Sequence, residues 1–404
     1  MLLSKRHRCR GQIAPVALFG VLISSAALVV MFNTGQKITE RSLVANAADA
    51  AAYSGAVWTA RHLNFIAYSN RAMIANHLAV GHFVSYVSWV RYINDSLQAI
   101  DRVTQWIPYV GQYVDMAEQI SAQVRDATEQ AADIAVPALD AWNANIRAAQ
   151  AEAHASLAFR NLHSLMAQTG RAYDPHILIN DSDALSRMPE ELRALLETQL
   201  MTQSAAVPAF IQRYTTGRDS NSMQQLVNTS LRANDDLQHW IAGERGWREN
   251  LFSVQLRKRG TTSVSQTANS ADWRAEDQLQ YRTRGLLGWH SWHRIGERVS
   301  TASASEFDSD YAGVPGYYNV SGQPGDTALR IAVIATKAQT RVATADLLAM
   351  TATDHPLAVA ATARVEFRRP RGSAFASMDE RRHEYANLFN PFWEARLAPA
   401  MWSF

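Results

Sequence analysis

The sequence predicts a mainly α-helical fold with a smaller α+β part at the carboxyl terminus, and one amino-terminal transmembrane helix that continues into a helical stalk. Three observations predict this class. An uncharged segment covers residues 12–32. Helix signals then dominate up to about residue 260, with apolar residues mostly at helical spacing between Phe65 and Ile100. Beyond that point turn residues accumulate, and two strand-like segments appear.

The uncharged segment, from Gln12 to Phe32, is long enough to be one membrane span. A helix needs about 20 apolar residues to cross a hydrocarbon core of roughly 30 Å. Clustered basic residues hold their flank in the cytoplasm, and four precede the segment: Lys5, Arg6, Arg8 and Arg10. A cleaved secretory signal is the alternative. The apolar core of such a signal usually has about 7–15 residues and is followed by a small-x-small cleavage site. This segment is longer, and residues 33–40 contain no clear site of that kind. We therefore predict an uncleaved single-pass anchor.

Composition indicates a tethered soluble body beyond this segment. The sequence has no second uncharged window of comparable length, so a multi-span protein is excluded. A net charge of +2 argues against a dedicated nucleic-acid surface. The single cysteine, Cys9, precedes the span on the predicted cytoplasmic side, so the exported body has no disulfide and packing must stabilise it.

Residues 37–61 are unusually rich in small side chains, among them Ala48, Ala51, Ala52 and Gly55. Such a surface lets neighbouring helix backbones approach closely. Alternatively, the alanines serve only as good helix formers. A helix over residues 12–61 would be roughly 75 Å long and would project from the bilayer as a stalk. No proline occurs between Pro15 and Pro108, so this interval holds one very long helix or two.

Further elements follow along the chain. We predict helices over residues 115–134, 137–169, 188–203 and 220–242, with Pro137 at a first helical position and Gly170 at a stop. Strands are predicted over residues 329–335 and Leu357–Phe367, antiparallel or mixed if they are neighbours. The aromatic residues of segment 384–404 indicate docking onto a core.

The first 60 residues resemble the TadG-like amino-terminal module of Tad (tight adherence) proteins of Flp pilus assembly. In that family a basic residue and a glycine precede the span, here Arg10 and Gly11, and an Asn-Ala-Ala-Asp-Ala-Ala-Ala-x-x-Gly-Ala stretch follows it, here residues 46–56 from Asn46 through Asp49. Residues 64–77 and 390–399 show a looser likeness to exported relatives of the same group. The resemblance implies a bacterial inner-membrane protein of pilus assembly or a minor pilin-like subunit.

Two departures from related proteins limit what carries over. Processed prepilins have a glutamate at the fifth residue after the glycine, where this chain has Val16, so we predict that the residues before Gly11 are retained. Some TadG-like proteins carry a metal-binding adhesion domain with an Asp-x-Ser-x-Ser signature. Residues 181–186 miss that spacing, so no such domain is predicted.

Signals for an enzyme are weak. On a helix, His290, His293 and Glu297 would share one face and resemble a zinc site, although an ordinary solvent or interface helix explains them better. A group of acidic residues, Glu306, Asp308 and Asp310, fits a solvated turn better than a calcium loop. The sequence has no G-x-S-x-G, H-E-x-x-H or phosphate-loop motif. We therefore predict that the protein is not an enzyme and that it has no catalytic residues, metal site or cofactor.

The predicted organisation has five parts: a cytoplasmic tail (1–10), the span (11–33), a periplasmic helical stalk (34–100), a helical domain (101–260) and an α+β region (261–404). We expect a pilus-assembly or minor pilin-like protein that works through helix packing at Asn46, Ala48, Asp49, Ala51, Ala52 and Gly55. The predicted partners are the inner membrane, other pilus assembly proteins or pilin-like subunits, and further copies of the chain. A membrane-tethered extracytoplasmic hydrolase and a sensor or secretion adaptor are the alternative functions.

Overall fold

The computed structural model describes residues 13–104, 111–191, 193–194, 197, 209–210, 245–266, 271–286, 288–314, 316–318, 328–338, 356–368 and 386–399. Its central element is one helix, α1 (Ile13–Thr104), which is 92 residues long. At about 1.5 Å per residue it extends roughly 140 Å. The proline-free interval therefore forms one helix and not two. Its first 30 residues are largely exposed, and the body of the protein covers one side of it from Val44 onward.

The other helices in the described part of the chain are α2 (Gly111–Ser156), α3 (Phe159–Tyr173), α4 (Ser182–Ser186) and α5 (Ala304–Phe307). Of these, α2 and α3 make the extensive contacts with α1. The second helix runs antiparallel to α1, because Ser121 near its start bonds Asn94, whereas Gln150 near its end bonds Asn70. Buried polar pairs thus fix the register of the two long helices.

Two predicted helix boundaries were wrong. Pro137 lies inside α2 and not at its start, since burial of Ala132 and Val136 outweighs the backbone bond that proline removes. Gly170 lies inside α3, where a Cβ atom would sit 2.5 Å from Cγ1 of Ile179. This glycine therefore permits close packing and does not end the helix. Most of the predicted helix 188–203, and all of 220–242, lie outside the described residues.

Nine strands are described: β1 (Ile177–Ile179), β2 (Trp247–Leu251), β3 (Val254–Gln266), β4 (Ala271–Gly285), β5 (Gly288–Trp289), β6 (His293–Ser303), β7 (Leu329–Lys337), β8 (Leu357–Phe367) and β9 (Trp393–Ala398). The predicted strand Leu357–Phe367 is confirmed, and the one over residues 329–335 is two residues longer. These two strands are antiparallel neighbours. The segment 101–260 is not purely helical, because β1, β2 and most of β3 lie within it.

The strands form two antiparallel sheets on different stretches of α1. The proximal sheet, nearer the apolar end of α1, has the order β1-β7-β8-β9. The distal sheet has the order β2-β3-β4-β5, with β6 also paired to β4. A proximal core joins residues 44–66 of α1 to α3 and the proximal sheet, and a distal core joins residues 73–87 to α2 and the distal sheet. The helix is thus the common spine of two packing units.

The carboxyl-terminal aromatic segment docks onto the proximal core, as predicted. Trp393 in β9 is 3 % exposed, and Leu388 before it is fully buried. Phe210 and Phe367 contact the Trp393 ring. Trp402 lies outside the described residues.

Candidate assembly surface on the first helix

The amino-terminal part of α1 is apolar and uncovered. Ile13, Phe19 and Phe32 are 83 %, 66 % and 59 % exposed, and none of the described residues packs on the apolar window around them. Each exposed large apolar side chain forgoes about 1.5–3 kcal/mol that burial provides. By length and composition this segment is suited to cross a membrane.

The small-residue stretch after it has two different faces. Ala47, Ala48, Ala51 and Ala52 are fully buried. Asn46, Asp49 and Tyr53 lie on the opposite side and are exposed. A helix of 3.6 residues per turn separates the two sets because residues three or four apart share a face. The family-like stretch of residues 46–56 therefore has an apolar stripe that faces the body of the protein and a polar stripe that faces outward.

The inward face packs within the chain. Val333 and Ala335 of β7, and Ala361 and Ala363 of β8, belong to the same core cluster as the buried alanines. Gly55 approaches α3, where a Cβ would lie 3.0 Å from the Met166 sulfur. Small side chains allow close approach here, because Ala48, Ala51, Ala52 and Gly55 pack against this chain's own sheet and helix.

The outward face leaves Asn46 and Asp49 accessible. Partial desolvation raises the pKa of the Asp49 carboxyl although its side chain is exposed. The same face continues along α1 with large exposed side chains: Tyr53 (44 %), Phe65 (44 %), Tyr68 (63 %) and Tyr86 (38 %). From Asn46 to Tyr86 this outward stripe is roughly 60 Å long.

Two further segments with the looser resemblance meet in the structure. The side chain of Asn64 accepts a hydrogen bond from the backbone N–H of Trp393 and donates one to its carbonyl, at 3.0 and 2.9 Å. Asn70, also on α1, donates to the carbonyls of Tyr318 and Leu388. These amides satisfy backbone groups of a distant segment and hold it on α1. Helical periodicity predicts an apolar face but does not identify such polar anchors.

The histidine arrangement required for zinc is absent from the described residues. His293 begins β6 and His290 precedes it in a loop, so the predicted shared helical face does not form. The described residues contain no group of three or more potential metal ligands. Glu306 instead pairs with Arg91 at 2.6 Å, and the Asp308 side chain accepts the backbone N–H of Asp310.

The first part of the chain is similar to one known protein family. Residues 11–58 match the Tad family, described as "Putative Flp pilus-assembly TadE/G-like". No curated protein and no solved structure matches the chain. The matched residues contain the apolar segment and the two-faced motif with Asn46 and Asp49. The amino-terminal module of this protein is therefore similar to the TadE/G-like proteins of Flp pilus assembly over these residues.

Proposed function

We propose that this protein is a membrane-anchored component of a Tad/Flp pilus assembly apparatus that acts through protein–protein contacts. The family match over residues 11–58 carries the proposal. The span fixes α1 in the bacterial inner membrane with its amino terminus in the cytoplasm, and the two packing units lie in the periplasm. The uncovered apolar segment and the basic residues before it support this topology.

The outward stripe of α1 is the proposed contact surface for pilin-like subunits or other assembly proteins. Asn46, Asp49 and Tyr53 are available to a partner, whereas the adjacent alanines are already packed inside the chain. Aromatic side chains with large exposed areas are favoured anchors in protein interfaces. A partner helix emerging from the same bilayer would lie alongside this stripe.

Photo-crosslinking tests this surface in cells. A photoreactive amino acid at Tyr53 should form adducts with pilus proteins, because this side chain is exposed on the outward face. The same amino acid at Trp142, which is 60 % exposed on α2, is the matched control. Adducts at Trp142 but none at Tyr53 would place the contact elsewhere.

A genetic arm tests the function itself. Deleting the gene should abolish or reduce pilus display and surface attachment, and the wild-type gene should restore them. Asp49→Lys reverses a charge on the proposed contact surface and should therefore restore them poorly. The abundance of this variant should be normal, since the exposed side chain contributes little to packing. Normal pilus display in the deletion strain would refute the proposed role.

A further inference from the structure

The distal sheet ends in two hairpin tips that each present an apolar side chain to solvent. Phe252 occupies the two-residue turn between β2 and β3 and is fully exposed, as is Leu286 in the turn between β4 and β5. The tips are neighbours, because Val254, the first residue of β3, pairs with Thr283 of β4.

Phe252 combines two unfavourable features. Its φ angle is +47°, a left-handed conformation that hairpin turns usually assign to Asn or Gly. An aromatic side chain is strained there, and this one is also left in water. Such strain at an exposed apolar residue points to a role outside the folding of the chain.

An arginine–tryptophan patch lies directly behind the tips, consisting of Arg248, Arg257, Arg282, Trp289 and Trp292. Guanidinium groups of the first three lie 5.6, 4.1 and 4.7 Å from the centre of the Trp292 ring. This ring stacking orders several cations on one face of the sheet.

The patch carries excess positive charge. Arg257 and Arg282 donate through Nε to the side-chain oxygens of Gln280 and Gln255, at 2.6 and 2.5 Å. Among the described residues no acidic side chain pairs with Arg248, Arg257 or Arg282. The pKa of Arg257 is lowered by desolvation and by the nearby positive charges of Arg259, Arg248 and Arg282. A multivalent anion would relieve this repulsion.

The tips point away from the amino-terminal apolar segment. Trp273 of β4 lies beside Gly81 of α1, and Asp277 bonds Ser88, so β4 follows α1 in the direction of increasing distance from the span. Nearly 60 residues of helix separate Ser88 from the end of the span, and β4 continues beyond Asp277. At ordinary helical and strand rises, the tips lie on the order of 100 Å from that bilayer.

We propose that the arginine–tryptophan patch and the two tips form a second membrane-binding site, which takes the phosphate headgroups of an anionic bilayer other than the one that α1 crosses. Arginine attracts anionic headgroups, tryptophan favours the interfacial depth, and the apolar tips enter the acyl boundary. A soluble polyanion would engage the arginines but would leave Phe252 and Leu286 in water. The bilayer site goes beyond the proposed pilus role, because it concerns the opposite end of the molecule.

Vesicle capture tests this site on the full chain. The protein is held in a nanodisc of phosphatidylcholine, which occupies the amino-terminal segment, and is floated with separate vesicles of phosphatidylcholine alone or mixed with phosphatidylglycerol. We expect capture by the mixed vesicles. The Arg257→Gln, Arg282→Gln double variant should weaken capture roughly 30-fold, and the Phe252→Ser, Leu286→Ser double variant about tenfold. Arg274→Gln is the control, since Arg274 is also exposed on β4 but lies outside the patch.

Three results would overturn the proposal. They are equal capture by neutral and anionic vesicles, loss of capture in the Arg274→Gln control to the same extent, and full capture by the Phe252→Ser, Leu286→Ser variant. The last result, together with displacement of vesicles by polyphosphate, would assign the patch to a soluble polyanion. Unchanged circular dichroism and thermal unfolding establish that each variant is folded. None of these readouts depends on pilus assembly, so this proposal and the proposed function fail separately.

Discussion

The proximal and distal packing units use the same helix in opposite ways. Near its apolar end, α1 presents alanines to the proximal sheet, and the interface is apolar, with the ion pair of Lys337 and Asp174 toward one end of β7. Farther along, α1 presents serines to the distal sheet, and a buried ion cluster lies against them. Asp277 bonds Arg245 and Lys258 there, each at 2.7 Å, and all three side chains are at most 3 % exposed.

This difference determines how each unit keeps its geometry. Close apolar packing depends on volume and tolerates little added bulk. A buried ion cluster depends on complete pairing, because an unpaired charge in the interior is costly. Burial lowers the pKa of Lys258 even though Asp277 opposes the shift, and it raises the pKa of Tyr92 to about 12. The proximal unit is therefore sensitive to size and the distal unit to charge.

Removing the central carboxylate should have the largest effect. Asp277→Ala removes the carboxylate that pairs with both buried cations, Arg245 and Lys258, and should lower the free energy of unfolding by about 3–5 kcal/mol. Asp174→Ala leaves Lys337 paired with Glu40, whose carboxylate lies 3.5 Å from the ammonium, so it should cost less, about 1–2 kcal/mol. Chemical denaturation of the detergent-solubilised protein measures both. Equal losses would mean that the two units do not differ in their dependence on charge.

Added bulk should affect the proximal unit next most strongly. Ala51→Leu forces a larger side chain between α1 and the proximal sheet and should cost about 1–3 kcal/mol. Tyr53→Ala, two residues away on the exposed face, should change stability by less than about 0.5 kcal/mol while reducing contacts with partners. If Ala51→Leu is neutral in thermal unfolding, the alanines are present for helix propensity and not for packing.

Glycine substitutions compare the two units at matched positions. A Cβ at Gly81 would lie 2.7 Å from the buried indole of Trp273, whereas one at Gly55 meets the flexible end of Met166 at 3.0 Å. Gly81→Ala should therefore destabilise by about 1–2 kcal/mol. Gly55→Ala should be nearly neutral, since helix propensity offsets a small shift of Met166. Differential scanning calorimetry should separate the variants, and a higher melting temperature for Gly81→Ala than for Gly55→Ala would contradict the packing argument.

Periodicity predicted the parts of the fold that depend on local pattern. It predicted the apolar amino-terminal helix, a helical stalk after it and the strand Leu357–Phe367, because each has a continuous pattern of one period. It left open whether the proline-free interval holds one helix or two. It predicted no strand of the distal sheet, where charged residues such as Arg257 and buried Lys258 follow one another on the strands. The partners of Asn64 and Lys258 lie far along the chain or across strands, and a single sequence holds no local signal for such pairs.

Asp140 of α2 should make the stability of the distal unit depend on pH, with a smaller effect than the substitutions above. Partial burial and the charge of Asp308 raise the pKa of Asp140 to about 6, although a backbone hydrogen bond from Ala312 opposes the shift. Between about pH 4 and 6 the folded state keeps a proton that the unfolded state releases, so stability falls as the pH rises through this range and is level above it. Asp140→Asn should remove this fall.

The variant should gain up to about 1 kcal/mol over the wild type at pH 7, after allowance for solvent screening, and should match it near pH 4. Asp133→Asn, on an exposed position of the same helix, is the control and should keep the wild-type pH profile. Denaturation midpoints at a series of pH values measure all three proteins. If Asp140→Asn follows the wild type at every pH, this carboxyl does not provide the charge dependence of the distal unit.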